Sequence, residues 1–211
     1  MACPLCTSTF TDAFFADAWR QYHHCARCDL VFVDPAQLPP ASEEKAQYDL
    51  HENDPDDPGY RRFLSRLATP LLQRLAPQAS GLDYGCGPGP ALARMLEEAG
   101  HRVALYDPLY QPGQDVLESQ YDFVTCTEVV EHFHQPRRDW QQLVSLLRPG
   151  GWLAVMTCWR EAGADFGGWH YRRDPTHVSF YSTATLEWLA HHYRLALDCP
   201  DRNVALFRQA P

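Results

Sequence analysis

The chain has 211 residues, 45% of them hydrophobic, and a formal charge of −9 from 18 Lys and Arg against 27 Asp and Glu. That length suits one sizeable core plus a small appendage. The negative balance argues against a protein that holds nucleic acid through a positive field. No apolar run approaches the ~18 residues of a membrane span. "MACPLC" has neither the basic nor the apolar region of a secretory leader, so the cytoplasm is the expected compartment. There, eight cysteines suggest metal or thiol chemistry rather than disulfides.

Cys3, Cys6, Cys25 and Cys28 come first, as C-x2-C-x18-C-x2-C. Each C-x2-C turn brings two thiolates to one ion, and two turns complete a tetrahedron. Residues 1–35 are therefore expected to form a zinc-ribbon-like module. So short a segment has too little core to fold alone, and the metal would supply its folding energy. With four cysteines the Zn2+ site is closed and structural, and its removal is expected to melt residues 1–35 alone. Unligated thiol pairs are the other reading, and His23 or His24 replacing a ligand is a third. Residues 36–57 are rich in Pro and acidic residues, including the run "HENDPDD", and read as a linker or arm.

From residue 58 the pattern changes. Leu64, Leu67, Leu71 and Leu75 recur at helical steps and predict an apolar helix face that ends at Pro77. "GLDYGCGPGP" then reads as a strand entering a glycine turn, "ALARMLEEAG" as a helix with Gly100 past its end, and "HRVALYD" as the next strand. The glycines let a ligand approach the backbone and open the helix N-terminus toward it. Asp107 ends the second strand, where an acidic residue suits two ribose hydroxyls. A dinucleotide fingerprint needs a third glycine at position 90, which is Pro90. Asp83, two residues before the first glycine, would repel a pyrophosphate but suits a cationic amino group or sulfonium.

These segments resemble the class I S-adenosylmethionine-dependent methyltransferases, of the ubiquinone-type and related subgroups. "LDYGCGPG" is similar to their first motif. "YDFVTCTEVVEH" at 121–132 resembles their fourth strand and its loop, and "LLRPGGWLAVMT" at 146–157 the turn into the fifth. "HVSFYSTATLEWL" at 177–189 resembles a later His-x-x-x-Tyr-Ser segment. The four-cysteine module resembles one fused to some members. The resemblance implies an α/β fold: a doubly wound, mostly parallel Rossmann-like sheet over residues 58–211. Its third-strand region is shortened, because only thirteen residues separate Asp107 from Tyr121. It implies cofactor contacts from Asp83, Tyr84, Gly85, Cys86, Gly87, Gly89, Asp107, Pro108 and Thr127, with Asp115 as the candidate toward the adenine.

Ligands of such sheets bind beyond the carboxyl ends of the strands. There His132 is the candidate base, with Glu131 and His177 beside it in the catalytic set. If the loop opens a helix, Glu128, Glu131 and His132 share a face. They are then an expected Mg2+ site by family resemblance, or else residues that cap and orient that helix. Residues 159–181 combine aromatic rings with Arg172 and Arg173, which suits a planar or anionic small-molecule acceptor. The same rings also read as an aromatic cover packed over the sheet edge. His177 also reads as a structural hydrogen-bond partner. Cys86, Cys126, Cys158 and Cys199 read as small buried hydrophobes. The alternatives to small-molecule O-methylation are an RNA methyltransferase and a non-catalytic S-adenosylmethionine-binding module. A nicotinamide oxidoreductase is disfavoured by Pro90.

Overall fold

The computed structural model describes residues 1–50 and 53–211. Residues 51 and 52, part of the acidic run, lie outside the described residues. At the N-terminus, strands β1 (Thr11–Ala16), β2 (Gln21–Cys25) and β3 (Val31–Val33) form an antiparallel meander. The arm carries a short helix, α1 (Ala41–Tyr48), with no buried residue.

Helix α2 (Pro58–Leu72) starts on an Asp57 cap, whose carboxylate accepts from the N–H groups of Gly59 and Tyr60. It buries Leu64, Leu67, Ala68 and Leu71 as the periodicity predicts. It stops at Leu72 rather than running to Pro77. Pro70 removes a backbone donor from the last turn, and Gln73 caps the helix with its N–H on the Thr69 and Leu71 carbonyls. Leu75 still packs against the same cluster.

Next come β4 (Ser80–Tyr84), α3 (Ala91–Glu98) and β5 (Arg102–Tyr106), a parallel strand–helix–strand unit. Gly100 follows α3 at φ +91°. Residues 108–120 hold a bridge between Asp107 and Gln111 and a 3-10 turn at Asp115–Glu118, but no strand. The chain continues through β6 (Tyr121–Thr127), α4 (Pro136–Ser145), β7 (Leu147–Met156), β8 (Ser179–Phe180), α5 (Thr183–Tyr193), β9 (Leu195–Asp201) and β10 (Val204–Gln209).

The main sheet runs β5-β4-β6-β7-β10-β9. Its first four strands are parallel, and β10 and β9 add antiparallel pairings. Strand alternation divides the core between two faces. Phe123, Ala154 and Leu206 point to the side of α2 and α3. Their neighbours Val124, Val155 and Phe207 join Trp140 of α4 and Leu186 and Leu189 of α5. The sheet is thus doubly wound.

A second sheet has the order β1-β2-β3-β8, so the meander takes its fourth strand from residues 179–180. Phe166, Tyr171 and Phe180 pack there with Tyr22, Val31 and Val33. The aromatic stretch 159–181 therefore serves in part as a cover joining the two sheets. Cys86 and Cys126 are buried, whereas Cys199, on edge strand β9, is exposed and does not fit the core reading.

Candidate active site

The glycine turn joins β4 to α3 at the carboxyl end of the sheet. Gly85 has φ +77° and Gly87 φ +64°, left-handed conformations that favour glycine. A Cβ on Gly85 would lie 2.4 Å from a Val129 methyl. At Gly89 it would lie 2.0 Å from the Asn53 carbonyl oxygen, so the arm rests directly on the turn.

Asp107 closes the turn from β5. Its carboxylate accepts from the N–H of Gly87 at 3.0 Å, Leu109 at 2.8 Å and Tyr110 at 3.1 Å. Asp83, 4% exposed, accepts from the Thr125 hydroxyl at 2.7 Å, and burial pushes its carboxyl up to about 6. Tyr84 packs on Tyr106 at 5.0 Å, and Cys86 is buried beside the turn. Pro108 follows Asp107 in the bridged loop, and Asp115 opens the exposed 3-10 turn. Thr127, the last residue of β6, has a buried hydroxyl oxygen with no hydrogen-bond partner. A glycine turn with left-handed backbone, flanked by the two carboxylates Asp83 and Asp107, fits a cationic nucleoside cofactor.

Beyond β6 the chain makes a 3-10 turn, Val130–His132, entered through Glu128 at φ +52°. That left-handed residue breaks the helical spacing on which a shared face for Glu128, Glu131 and His132 depends. The structure groups Glu131 and His132 with His177 instead, their ligand atoms lying within 4.8 Å of one another. Glu128 turns to the Tyr171 hydroxyl, its Oε2 lying 3.1 Å from the phenol oxygen. The group formed by Glu131, His132 and His177 has two imidazoles and one carboxylate, an oxygen-poor donor set for Mg2+, and Glu128 of the expected magnesium set lies outside it.

His132 and His177 meet edge to face at 4.8 Å. Each is oriented through Nδ1 by a backbone carbonyl: Thr176 at 3.1 Å for His132 and Tyr171 at 2.6 Å for His177. A carbonyl only accepts, so Nδ1 carries the proton in each neutral ring and Nε2 is the basic atom. Burial pulls the His177 pKa down. Glu131, 1% exposed, accepts from Thr157 at 2.9 Å and from the Tyr171 hydroxyl. Burial, then the neighbouring Glu131 charge, pushes Glu128 up to about 8. Tyr171 and Thr157, which tie the two glutamates together, carry no motif by which sequence alone would single out their role. Tyr48 of the arm, edge-on to His132 at 5.1 Å, is equally silent. Arg172 is committed to Asp17 at 2.6 Å and to the Phe166 and Gly167 carbonyls, which leaves it no fork for an anionic acceptor.

The four cysteines converge, all buried, with sulfurs within 4.8 Å of one another. Cys3 and Cys28 sulfurs are 3.6 Å apart, and Cys6 and Cys25 sulfurs 3.4 Å. The two turns repeat one geometry. Cys3 N–H donates to Ser8 and Thr7 N–H back to Cys3; Cys25 N–H donates to Leu30 and Asp29 N–H back to Cys25. Thr7 and Asp29 both lie near φ +58°. A hydrogen bond with Cys28 holds the Cys3 thiol down at about 5, and burial pushes Cys6 up to about 11. Four crowded thiols can share protons, but full ionisation needs a cation at their centre. This donor set fits Zn2+.

Fold and turn together define the S-adenosylmethionine-dependent methyltransferase class. A family described as a methyltransferase domain matches residues 59–199, and the chain belongs to it. The ubiquinone biosynthesis O-methyltransferase of Pectobacterium atrosepticum is 30% identical over 93 residues, 44% of this chain and 39% of that protein. The Shewanella pealeana enzyme of the same name is 28% identical over 86 residues, 41% and 36%. The matches span less than two fifths of these relatives. Among solved structures, Burkholderia thailandensis 1,6-didemethyltoxoflavin-N1-methyltransferase, with S-adenosylhomocysteine bound, superposes with a TM-score of 0.54. It is 20% identical, and the alignment covers 95% of this chain and all of that one. An O-methyltransferase family protein from the same organism gives 0.52 at 15% identity, over 79% and 62%. At these identities the likeness shows the fold.

Proposed function

We propose that the chain methylates a hydroxyl of a small-molecule acceptor, with His132 as the base. When bound, S-adenosylmethionine supplies a methyl group activated on a sulfonium. Gly85, Gly87 and Gly89 let the cofactor lie against the turn, with Asp107 toward its ribose, Asp83 toward its charged end and Thr127 offering its free hydroxyl. His132 takes the acceptor proton at Nε2, and the Thr176 carbonyl holds the ring in the tautomer that can do so. His177 and Glu131 steady the imidazolium that results. The reading is carried by the two Nδ1-anchored rings, which share the strand ends with the glycine turn. The O-methyltransferase relatives support oxygen as the target, and the −9 charge supports a small acceptor over RNA. Zn2+ on Cys3, Cys6, Cys25 and Cys28 is proposed as structural.

The test uses labelled S-adenosylmethionine with a panel of phenols and catechols, and mass spectrometry of the products. An O-methylated product is expected, and His132→Ala should slow its formation ~10²–10⁴-fold, the usual share of general-base catalysis. S-adenosylhomocysteine affinity should hold in that variant. Full activity in His132→Ala removes the base. Salt-sensitive methylation of ribosomal or transfer RNA overturns the small-acceptor reading.

A further inference from the structure

The loop at 171–177 carries the two carbonyls that orient His132 and His177, and it is gripped from its other side by one residue of the cysteine module. Arg20, in the turn between β1 and β2, sends its guanidinium into the loop. Nη1 donates to the carbonyls of Pro175 at 3.2 Å and His177 at 2.9 Å. Nη2 donates to those of Arg172 and, at 3.1 Å, Asp174. The imidazoles take the carbonyls left over, Tyr171 for His177 and Thr176 for His132. Six of seven consecutive carbonyls are thus divided between one guanidinium and two catalytic candidates. Each peptide unit is planar, so holding the carbonyls of Pro175 and His177 on either side of Thr176, and of Arg172 beside Tyr171, narrows the φ and ψ left to the planes that carry the inward carbonyls.

The grip is reciprocal. The Asp17 carboxylate accepts from the N–H groups of Trp19 and Arg20 at 2.8 Å each, which shapes the turn that projects Arg20. Its other oxygen accepts from Arg172 at 2.6 Å, at the start of the gripped loop. Arg20 also lies over the Tyr22 ring, 5.4 Å from its centre. A planar fork with five donors can serve four carbonyls at once, which a lysine cannot.

We infer that Arg20 is a positioning residue for the His132–His177 pair, and that through it the cysteine module completes the active site rather than recognising a partner. The inference rests on the proposed role of the two histidines, but its test reads ring tautomers, which exist whether or not any acceptor is methylated.

Side-chain 15N NMR of the intact, metal-loaded chain provides the readout. In the wild type, His132 and His177 should both show the Nδ1–H tautomer. In Arg20→Ala that form should give way to a mixture at one or both rings. S-adenosylhomocysteine affinity should stay within about twofold, since a general loss of folding would abolish it. Arg20→Lys should fall between the two. A folded, ligand-binding Arg20→Ala with unchanged imidazole spectra overturns the inference. If Arg20→Ala does not fold, the wild-type Arg20 signals decide. Separate, slowly exchanging Nη–H resonances support the grip, and one averaged signal refutes it.

Discussion

Two carboxylates flank the glycine turn, and burial divides their work. Asp107 spends its charge on three backbone N–H groups and so fixes the glycine turn. Asp107→Ala should weaken S-adenosylhomocysteine binding by ~1–3 kcal/mol, the range for a lost charge-assisted hydrogen bond, as calorimetry can measure. Asp83 is the opposite case. Its carboxyl has moved up from 3.8 to about 6 because burial penalises the charged form. The folded chain then keeps a proton that the unfolded chain releases. Stability contributed by this group is therefore present below pH ~4 and lost as pH rises toward about 6. The loss is on the order of 3 kcal/mol at 1.36 kcal/mol per unit. Asp83→Asn cannot ionise, so denaturant titrations at pH 4 and pH 7 should show the variant gaining on the wild type by about that amount. An equal pH slope in both proteins would place the penalty elsewhere.

At the scale of elements, α1 is the weakest attachment to the cleft. It buries no residue, and it is held by Glu44 to His134 at 2.9 Å, Tyr48 against His132, and Asp49 to the Tyr110 hydroxyl at 2.6 Å. These are a few polar and edge contacts, of which the exposed Asp49–Tyr110 bond contributes at most ~1 kcal/mol, whereas α2 buries four apolar side chains. Hydrogen exchange followed by mass spectrometry should show α1 amides exchanging well before those of α2, and S-adenosylhomocysteine should slow α1 selectively. Equal protection of the two helices would contradict this. The sequence reveals the arm only as a Pro-rich, acidic connector, because a helix without a buried face leaves no periodicity to read. The glycine turn, Asp107 and the cysteine spacing are legible since each depends on residues close in sequence. The Glu128, Glu131 and His132 grouping misleads because it assumes helical spacing where the chain takes a left-handed step. The pairing of His132 with His177, and the grip of Arg20 on the loop between 171 and 177, join distant residues through tertiary packing. No local pattern announces them.

At the scale of the molecule, the question is whether the cysteine module melts alone, as its short length suggests. Three features argue that it does not. Its sheet is completed by β8, with Val31 opposite Phe180 and Phe32 opposite Ser179. Cys3, Leu5, Cys6, Cys25, Cys28, Leu30 and Phe32 belong to the same apolar cluster as Val124, Trp140 and Leu186. Polar ties add to this: Asp29 pairs with Arg160 at 2.7 Å and accepts from Ser182, and Arg137 donates its N–H to the Pro4 carbonyl. Four thiols stripped of Zn2+ would forfeit ~10–16 kcal/mol of metal binding, comparable to the ~5–15 kcal/mol that holds a whole domain folded. Exposing this face would then uncover the apolar side of the methyltransferase sheet. Chelation should therefore lower the melting temperature of the entire chain in a single calorimetric transition, with S-adenosylhomocysteine affinity lost in step. Acid should act in the same direction, because protonation of the thiolates releases the metal. Two separate transitions, with the cofactor site intact after the first, would show that the module folds as an independent unit despite the shared strand.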